Sequence, residues 1–211
     1  MLKMELLTVG PLATNSYLLG GEDAGGIVII DPGGDAQSLL RQAEEIGGSV
    51  EALLLTHGHV DHIAACAEII RATGAKLYVH SGDAELVRKP DAYWASLVGG
   101  CEACDPDVEV GDGDRLHLAG LELTVLHTPG HSPGGVCYLT DDACFCGDTL
   151  FAGSIGRTDL PLADSQAMQT SLARMFSELP DEMRVFPGHG PTTTMAAEKK
   201  TNPFLQDLPT A

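Results

Sequence analysis

Short apolar runs bounded by Gly, Pro or Asp recur along the whole chain. The runs Lys3–Val9, Tyr17–Leu19, Ile27–Ile30, Ala52–Thr56, Lys76–Val79, Leu121–His127, Val136–Thr140 and Arg184–Phe186 are rich in Val, Ile and Leu and predict strands. Between them lie segments of helical period. Leu39, Leu40, Ala43 and Ile46 follow Asp35, a natural N-cap, and stop at Gly47-Gly48. A second helix is predicted from about Asp61 to Thr73, ending at Gly74. A third runs over Ser165–Leu179, with Met168, Leu172, Met175 and Phe176 on one face and Pro180 just beyond. Strands and helices come first, then a strand-rich stretch, then both again. That order suits an α/β fold of two sheets sandwiched between helices better than one parallel sheet. The least regular segment, Lys89–Asp114, carries the sole tryptophan, Trp94, and reads as a surface excursion or a lid beside a site.

Length and charge narrow this picture. At 211 residues the chain is expected to form a single domain, 1–211. It has 12 Lys+Arg against 30 Asp+Glu, a net charge of -18. The excess is spread over both halves and leaves no basic stripe, which argues against nucleic acid and anionic membrane surfaces as partners. No apolar run is long enough to span a bilayer, and Met1–Gly10 lacks the features of an export signal. With six cysteines and no such signal, the expected setting is the cytoplasm and the thiols are expected to be free.

The candidate chemistry begins at Thr56-His57-Gly58-His59-Val60-Asp61-His62, on a strand-to-helix loop. Imidazoles and carboxylates at a strand end bury little apolar area, so packing does not explain their density, and a solvated loop with chance histidines explains it poorly. His57 and His59, two apart, project to the same side of an extended chain. Asp61 and His62, adjacent at the turn, can address a second point. One loop can therefore serve two neighbouring metal ions. Three more donors follow, each beside glycine and each after an apolar strand: His131, Asp148 and His189. Glycine lets the backbone come close to a site and adopt dihedrals other residues resist. Five histidines and two aspartates suffice for two ions if one carboxylate bridges.

The pattern His57-x-His59-x-Asp61-His62 with His131, Asp148 and His189 resembles the metallo-β-lactamase superfamily. The resemblance covers nearly the whole chain and implies a four-layer αβ/βα sandwich with metals at one edge. Within the superfamily, Gly10–Leu18, Asp31-Pro32-Gly33, Gly147–Phe151, Gly153–Asp159 and Thr201–Phe204 look like the short glyoxalase II-like, hydroxyacylglutathione hydrolase-like group. Carried over, His57, His59 and His131 would hold one metal, Asp61, His62 and His189 the other, and Asp148 would bridge them. Asp61 and Asp148 would thereby take part in catalysis. Full-length relatives continue into a helical glutathione-binding domain, which is not expected within these 211 residues.

The donor chemistry points to hydrolysis on its own account. Imidazole and carboxylate without thiolate suit Zn²⁺, with Fe or Mn as alternatives. Two such ions about 3.5–4 Å apart can share a hydroxide whose parent water has a pKa near ~7. No serine or cysteine nucleophile is then needed, and a thioester suits the site because its thiolate leaves readily. The expected substrate is a small anionic thioester. Arg157, in a glycine-flanked loop, is the candidate anion contact, against an ion pair with Asp159. Asp31 is a candidate partner for a ligand histidine, against a plain turn residue. Cys101 and Cys104 have the spacing of half a zinc knuckle but lack a second pair, and read as loop cysteines. Cys146 reads as a small buried hydrophobe, and His80, His117 and His127 as strand-end or core histidines. Rival functions are an iron-dependent persulfide dioxygenase and, from another class, a non-catalytic metal-binding module. A flavodiiron oxidoreductase, a nuclease and a β-lactam hydrolase fit less well.

Overall fold

The structure, a computed structural model, describes residues 2–21 and 25–206. Residues 1, 22–24 and 207–211, which the single-domain expectation includes, lie outside the described residues. The first sheet contains β1 (Leu2–Val9), β2 (Thr14–Gly21), β3 (Gly26–Ile30), β4 (Ser49–Leu54), β5 (Lys76–His80) and β6 (Val108–Val110), in that order. Helices α1 (Ala36–Glu45), α2 (Val60–Ile63), α3 (Cys66–Thr73), α4 (Ala84–Arg88) and α5 (Ala92–Leu97) lie between its strands in sequence. The second sheet is built from β7 (Arg115–Leu118), β8 (Leu121–His127), β9 (Val136–Leu139), β10 (Ala143–Gly147), then β13 (Arg184–Pro187) and β14 (Thr193–Thr194). The hairpin β11 (Leu150–Phe151) and β12 (Ser154–Ile155), with α6 (Ser165–Glu178), separates β10 from β13. Helices α7 (Met195–Thr201) and α8 (Pro203–Gln206) close the described chain.

Strand alternation makes the layers. Ile27, Ile29, Leu53 and Leu55 pack on the helix side with Leu39 of α1 and Ile69 of α3. Their neighbours Val28, Ile30, Ala52 and Leu54 face the other sheet, against Val125, Tyr138 and Phe145. Likewise Phe145 of β10 faces inward while Cys144 and Cys146 face outward to Met168, Leu172 and Met175 of α6. A strand buried on both faces reads as an unbroken apolar run, as these do. The result is two six-stranded sheets flanked by helices, the predicted sandwich. Two tyrosines tie the sheets together: Tyr17 donates to the Pro187 carbonyl at 2.7 Å and Tyr138 to that of Leu55 at 3.0 Å. A buried hydroxyl needs such a partner, and each bond contributes about 1 kcal/mol.

Four expectations are corrected. The helix predicted from Asp61 to Thr73 is split into α2 and α3, because the Ala65 amide donates to the Pro32 carbonyl instead of continuing the helix. Asp35 does precede α1, but its φ is 50° and its carboxylate accepts from the Gly10 amide rather than capping the helix. Lys89–Asp114 is more regular than expected, holding α5 and β6, and β6 joins the first sheet parallel to β5. The strands β6, β7 and β14, short edge segments, and the two-residue β11 and β12 went unpredicted, whereas the apolar strand expected before Asp148 is β10. Gly74 ends α3 with φ 72°, as its position predicted. No helix among the described residues is long and apolar enough to cross a membrane.

Candidate metal centre

Strands β3, β4, β10 and β13 all end at one edge of the sandwich, with β3 parallel to β4 and β10 parallel to β13. His59 is extended (φ -72°, ψ 146°), and α2 starts at Val60. His57 and His59 therefore precede the helical turn that carries Asp61 and His62. His131 lies in the β8–β9 connection, Asp148 just beyond β10 and His189 just beyond β13. All seven predicted donors come together.

They form two groups. One donor atom each from His57, His59 and His131 lie within 4.8 Å of one another, and the same holds for Asp61, His62 and His189. His59 Nδ1 is 2.9 Å from His131 Nε2, and His62 Nε2 is 3.3 Å from His189 Nε2. Asp148 stands between the groups, with one oxygen 3.4 Å from His62 Nε2 and the other 3.5 Å from His131 Nε2 and 3.7 Å from His189 Nε2. Among the described residues, two buried side-chain polar atoms, His57 Nε2 and Asp148 Oδ1, have no hydrogen-bond partner. Buried orphan atoms are rare unless something else satisfies them. Nitrogens converging on carboxylate oxygens at these distances fit divalent cations.

Burial most strongly, then the neighbouring imidazoles, push His57 well below the usual histidine pKa and His59 down to about 4. Both are neutral, the ligating form. Burial disfavours charge on Asp61 and Asp148 too, but the histidines outweigh it and hold both below the ordinary carboxylate range. For His62 burial is outweighed by Asp148, Asp61 and Asp31, which raise it well above the usual value.

An outer ring of groups holds the donors. Asp31 is buried at the end of β3 with φ 51°, accepting from the Thr56 amide at 2.7 Å, the Thr56 hydroxyl at 2.6 Å and His62 Nδ1 at 2.9 Å. This fixes the His62 ring with Nε2 toward the cluster. Two holding residues, Asp83 and Asn15, were not singled out from the sequence. Asp83, fully buried, accepts from the Gly58 amide, the Ser132 hydroxyl and the Gly134 amide at 2.6–2.8 Å. Asn15 holds the His189 loop: its amide donates to Gly188, and its side chain donates to Pro187 and Gly190. The Arg157 carbonyl lies 2.9 Å from His131 Nδ1. Asn15 falls in a motif-like segment, but Asp83 lies in a 3-10 turn more than 20 residues from any donor, where spacing gives no signal. Gly188 meets the glycine expectation directly: a Cβ there would collide with Asp148 and His62.

A cavity of about 600 Å³ opens onto the cluster. His59, Asp61, His131, Asp148 and His189 form its floor, and Arg157 reaches its lining. The Arg157 guanidinium also makes the competing contact, a two-pronged ion pair with Asp159 at 2.9 and 3.1 Å. Cys146 is buried, its thiol directed to the Leu150 carbonyl at 3.1 Å. Cys101 and Cys104 are free, pack partly buried against the helix-side core, and are pushed up to about 11 mainly by burial. His80 and His127, at the ends of β5 and β8, stack with centroids 4.0 Å apart. His117 is exposed on β7.

The comparisons with known proteins agree with this geometry. Residues 9–189 match the Metallo-beta-lactamase superfamily. Hydroxyacylglutathione hydrolase GloC of Haemophilus influenzae is 33% identical, covering 97% of this chain and 98% of its own. Among solved structures, the BLEG-1 B3 metallo-beta-lactamase is 34% identical with TM-score 0.87, covering 98% of this chain and all of that one. TTHA1623, solved in a di-iron-bound form, is 42% identical with TM-score 0.84, over 95% and 100%. ETHE1 from Myxococcus xanthus is 29% identical with TM-score 0.79, over 95% and 83%. The two donor groups at the sheet edge, the sandwich beneath them and a match running from β1 to His189 make this chain a member of the metallo-β-lactamase superfamily.

Proposed function

We propose that the protein is a dinuclear metal-dependent hydrolase of small acyl thioesters, converting thioester and water to carboxylate and thiol. The observation that carries this reading is the pair of donor groups joined by Asp148, with His57 Nε2 and Asp148 Oδ1 left unpartnered. His57, His59 and His131 would hold one ion; Asp61, His62 and His189 would hold the other; Asp148 would bridge. Two divalent ions, zinc first and iron or manganese next, would supply a hydroxide at neutral pH and polarise the acyl carbonyl.

The chain's own residues do the rest. Asp31 holds His62 with Nε2 inward, and the Arg157 carbonyl orients His131. An acyl carbonyl entering the cavity would meet the donors on its floor. The departing thiol has an ordinary pKa of about 8.5, so it leaves without a strong general acid. Likeness to GloC at 33% identity supports the thioester. The Arg157 guanidinium is the cation offered to an anionic carrier, sharing Asp159. A reducing cytoplasm fits six free cysteines.

The rival dioxygenase reading employs a single iron, whereas two donor groups favour two ions. The test is elemental analysis of the purified protein with steady-state hydrolysis of S-lactoylglutathione, and oxygen uptake on glutathione persulfide in parallel. Two ions per chain and metal-dependent thiol release are expected. One iron per chain with oxygen uptake and no thioester cleavage would overturn the reading.

A further inference from the structure

Large apolar side chains are exposed at seven positions among the described residues. Four of these, Leu12, Trp94, Leu97 and Leu162, line the cavity of about 600 Å³ that opens on the donor cluster. They come from three separate places: the β1–β2 turn, helix α5 and the segment before α6. Leu86 of α4 and Phe151 of β11 continue the apolar lining inward. Solvent-exposed apolar side chains gathered around a concave site mark a surface that meets an apolar ligand.

Charge points the same way. Arg157 is the sole cation among the lining residues, and it is already paired with Asp159. Three aspartates line the same cavity, Asp61, Asp91 and Asp148, in a chain of net charge -18. Glutathione, with two carboxylates and one ammonium, finds little to hold it there. An apolar acyl chain finds a wall.

From this we infer that the wall of Leu86, Trp94 and Leu97 receives an apolar acyl chain, so that the thioesters hydrolysed best are those of medium-chain aliphatic acids. This rests on the thioesterase reading and deepens it. The carbonyl sits at the donor floor, the chain lies along α4 and α5, and the thiol carrier points to the Arg157 side. A second copy of the chain is a poorer occupant, because the apolar residues line a hollow of about 600 Å³ that descends to the donors. The sole tryptophan stands in this wall, so its fluorescence reports what enters.

The experiment uses the metal-loaded protein and a series of N-acetylcysteamine thioesters, acetyl to octanoyl, beside S-lactoylglutathione. A buried methylene is worth about threefold or more in kcat/KM. A rise of that order per methylene is expected, with octanoyl exceeding S-lactoylglutathione. Trp94→Ser and Leu97→Ser should each flatten the slope, while Phe204→Ser, exposed and outside the cavity, should leave it standing. S-octyl-N-acetylcysteamine, a thioether that cannot be cleaved, should shift Trp94 emission saturably. Thioester turnover with no chain-length slope overturns the acyl-chain assignment and leaves the hydrolase. Saturable thioether binding with no turnover of any thioester overturns the hydrolase and leaves an apolar-chain pocket. A dimer that Trp94→Ser dissociates, with a flat slope, assigns the wall to a second copy and overturns the inference.

Discussion

The Asp83 carboxylate accepts a hydrogen bond from the Ser132 hydroxyl at 2.7 Å, across 49 residues and between the two sheets' loops. The same oxygen takes the Gly58 amide, so one buried charge fastens the His57–His59 loop to the His131 loop. Removing it leaves two amides and a hydroxyl without an acceptor. Asp83→Ala is expected to cost about 3 kcal/mol of stability. Metal affinity should fall about 10–100-fold, as when other outer partners of a metal site are lost. Asp83→Asn should lose less, keeping an acceptor oxygen. Thermal unfolding and metal retention after dialysis check both.

Asp148→Asn tests the bridge. A neutral amide cannot hold two cations as a carboxylate does, and it removes the charge that faces His62, His131 and His189. Metal content should drop below two ions per chain, with kcat lowered on the order of 100-fold or more. Two tightly held ions with wild-type turnover would refute the bridging role.

Cys146 is two residues from Asp148, yet its thiol addresses the Leu150 carbonyl within the α6-side core. Cys146→Ala should leave kcat within a fewfold of wild type and lower stability by about 1 kcal/mol, the cost of a small cavity. A loss of several orders of magnitude in a folded variant would point to covalent catalysis.

His80, stacked on the His127 ring, makes stability depend on pH. Burial, then the His127 ring beside it, lowers the His80 pKa below the ordinary 6.5, against smaller opposing effects from Asp83, Asp112 and Glu109. The unfolded chain therefore binds this proton more readily than the folded one. The stabilisation is fully present above about pH 6.5 and is lost as pH falls through the lower folded value. Tm should drop on acidification below that point, and His80→Gln should shallow the drop.

What the sequence disclosed follows from how local each feature is. His57, His59, Asp61 and His62 lie within six residues, so their density alone marked the donor cluster, and Ile27–Ile30 and Ala52–Thr56 marked core strands by composition. Asp83 escaped because its partners Gly58, Ser132 and Gly134 donate backbone or hydroxyl groups, which leave no mark in a residue pattern. Strand β6 escaped because its three residues gain their conformation from pairing with β5, not from their own propensity. The break between α2 and α3 arises from Pro32, more than 30 residues earlier in the chain, and no local signal could carry it.

The Asn15 clamp also bears on how the centre is assembled. Asn15 reaches Pro187 and Gly190 across 172 and 175 residues, the N-terminal hairpin closing over the last donor loop. Contacts so distant in sequence form late, because the chain must lose its loop freedom before they return anything. His59 and His131 meet across 72 residues, whereas the loop of His189 is held by Asn15 across more than twice that separation. An ion bound at Asp61, His62 and His189 would thus recognise the finished fold alone and deepen its basin by mass action. Filling that second subsite and completing the fold would be one event.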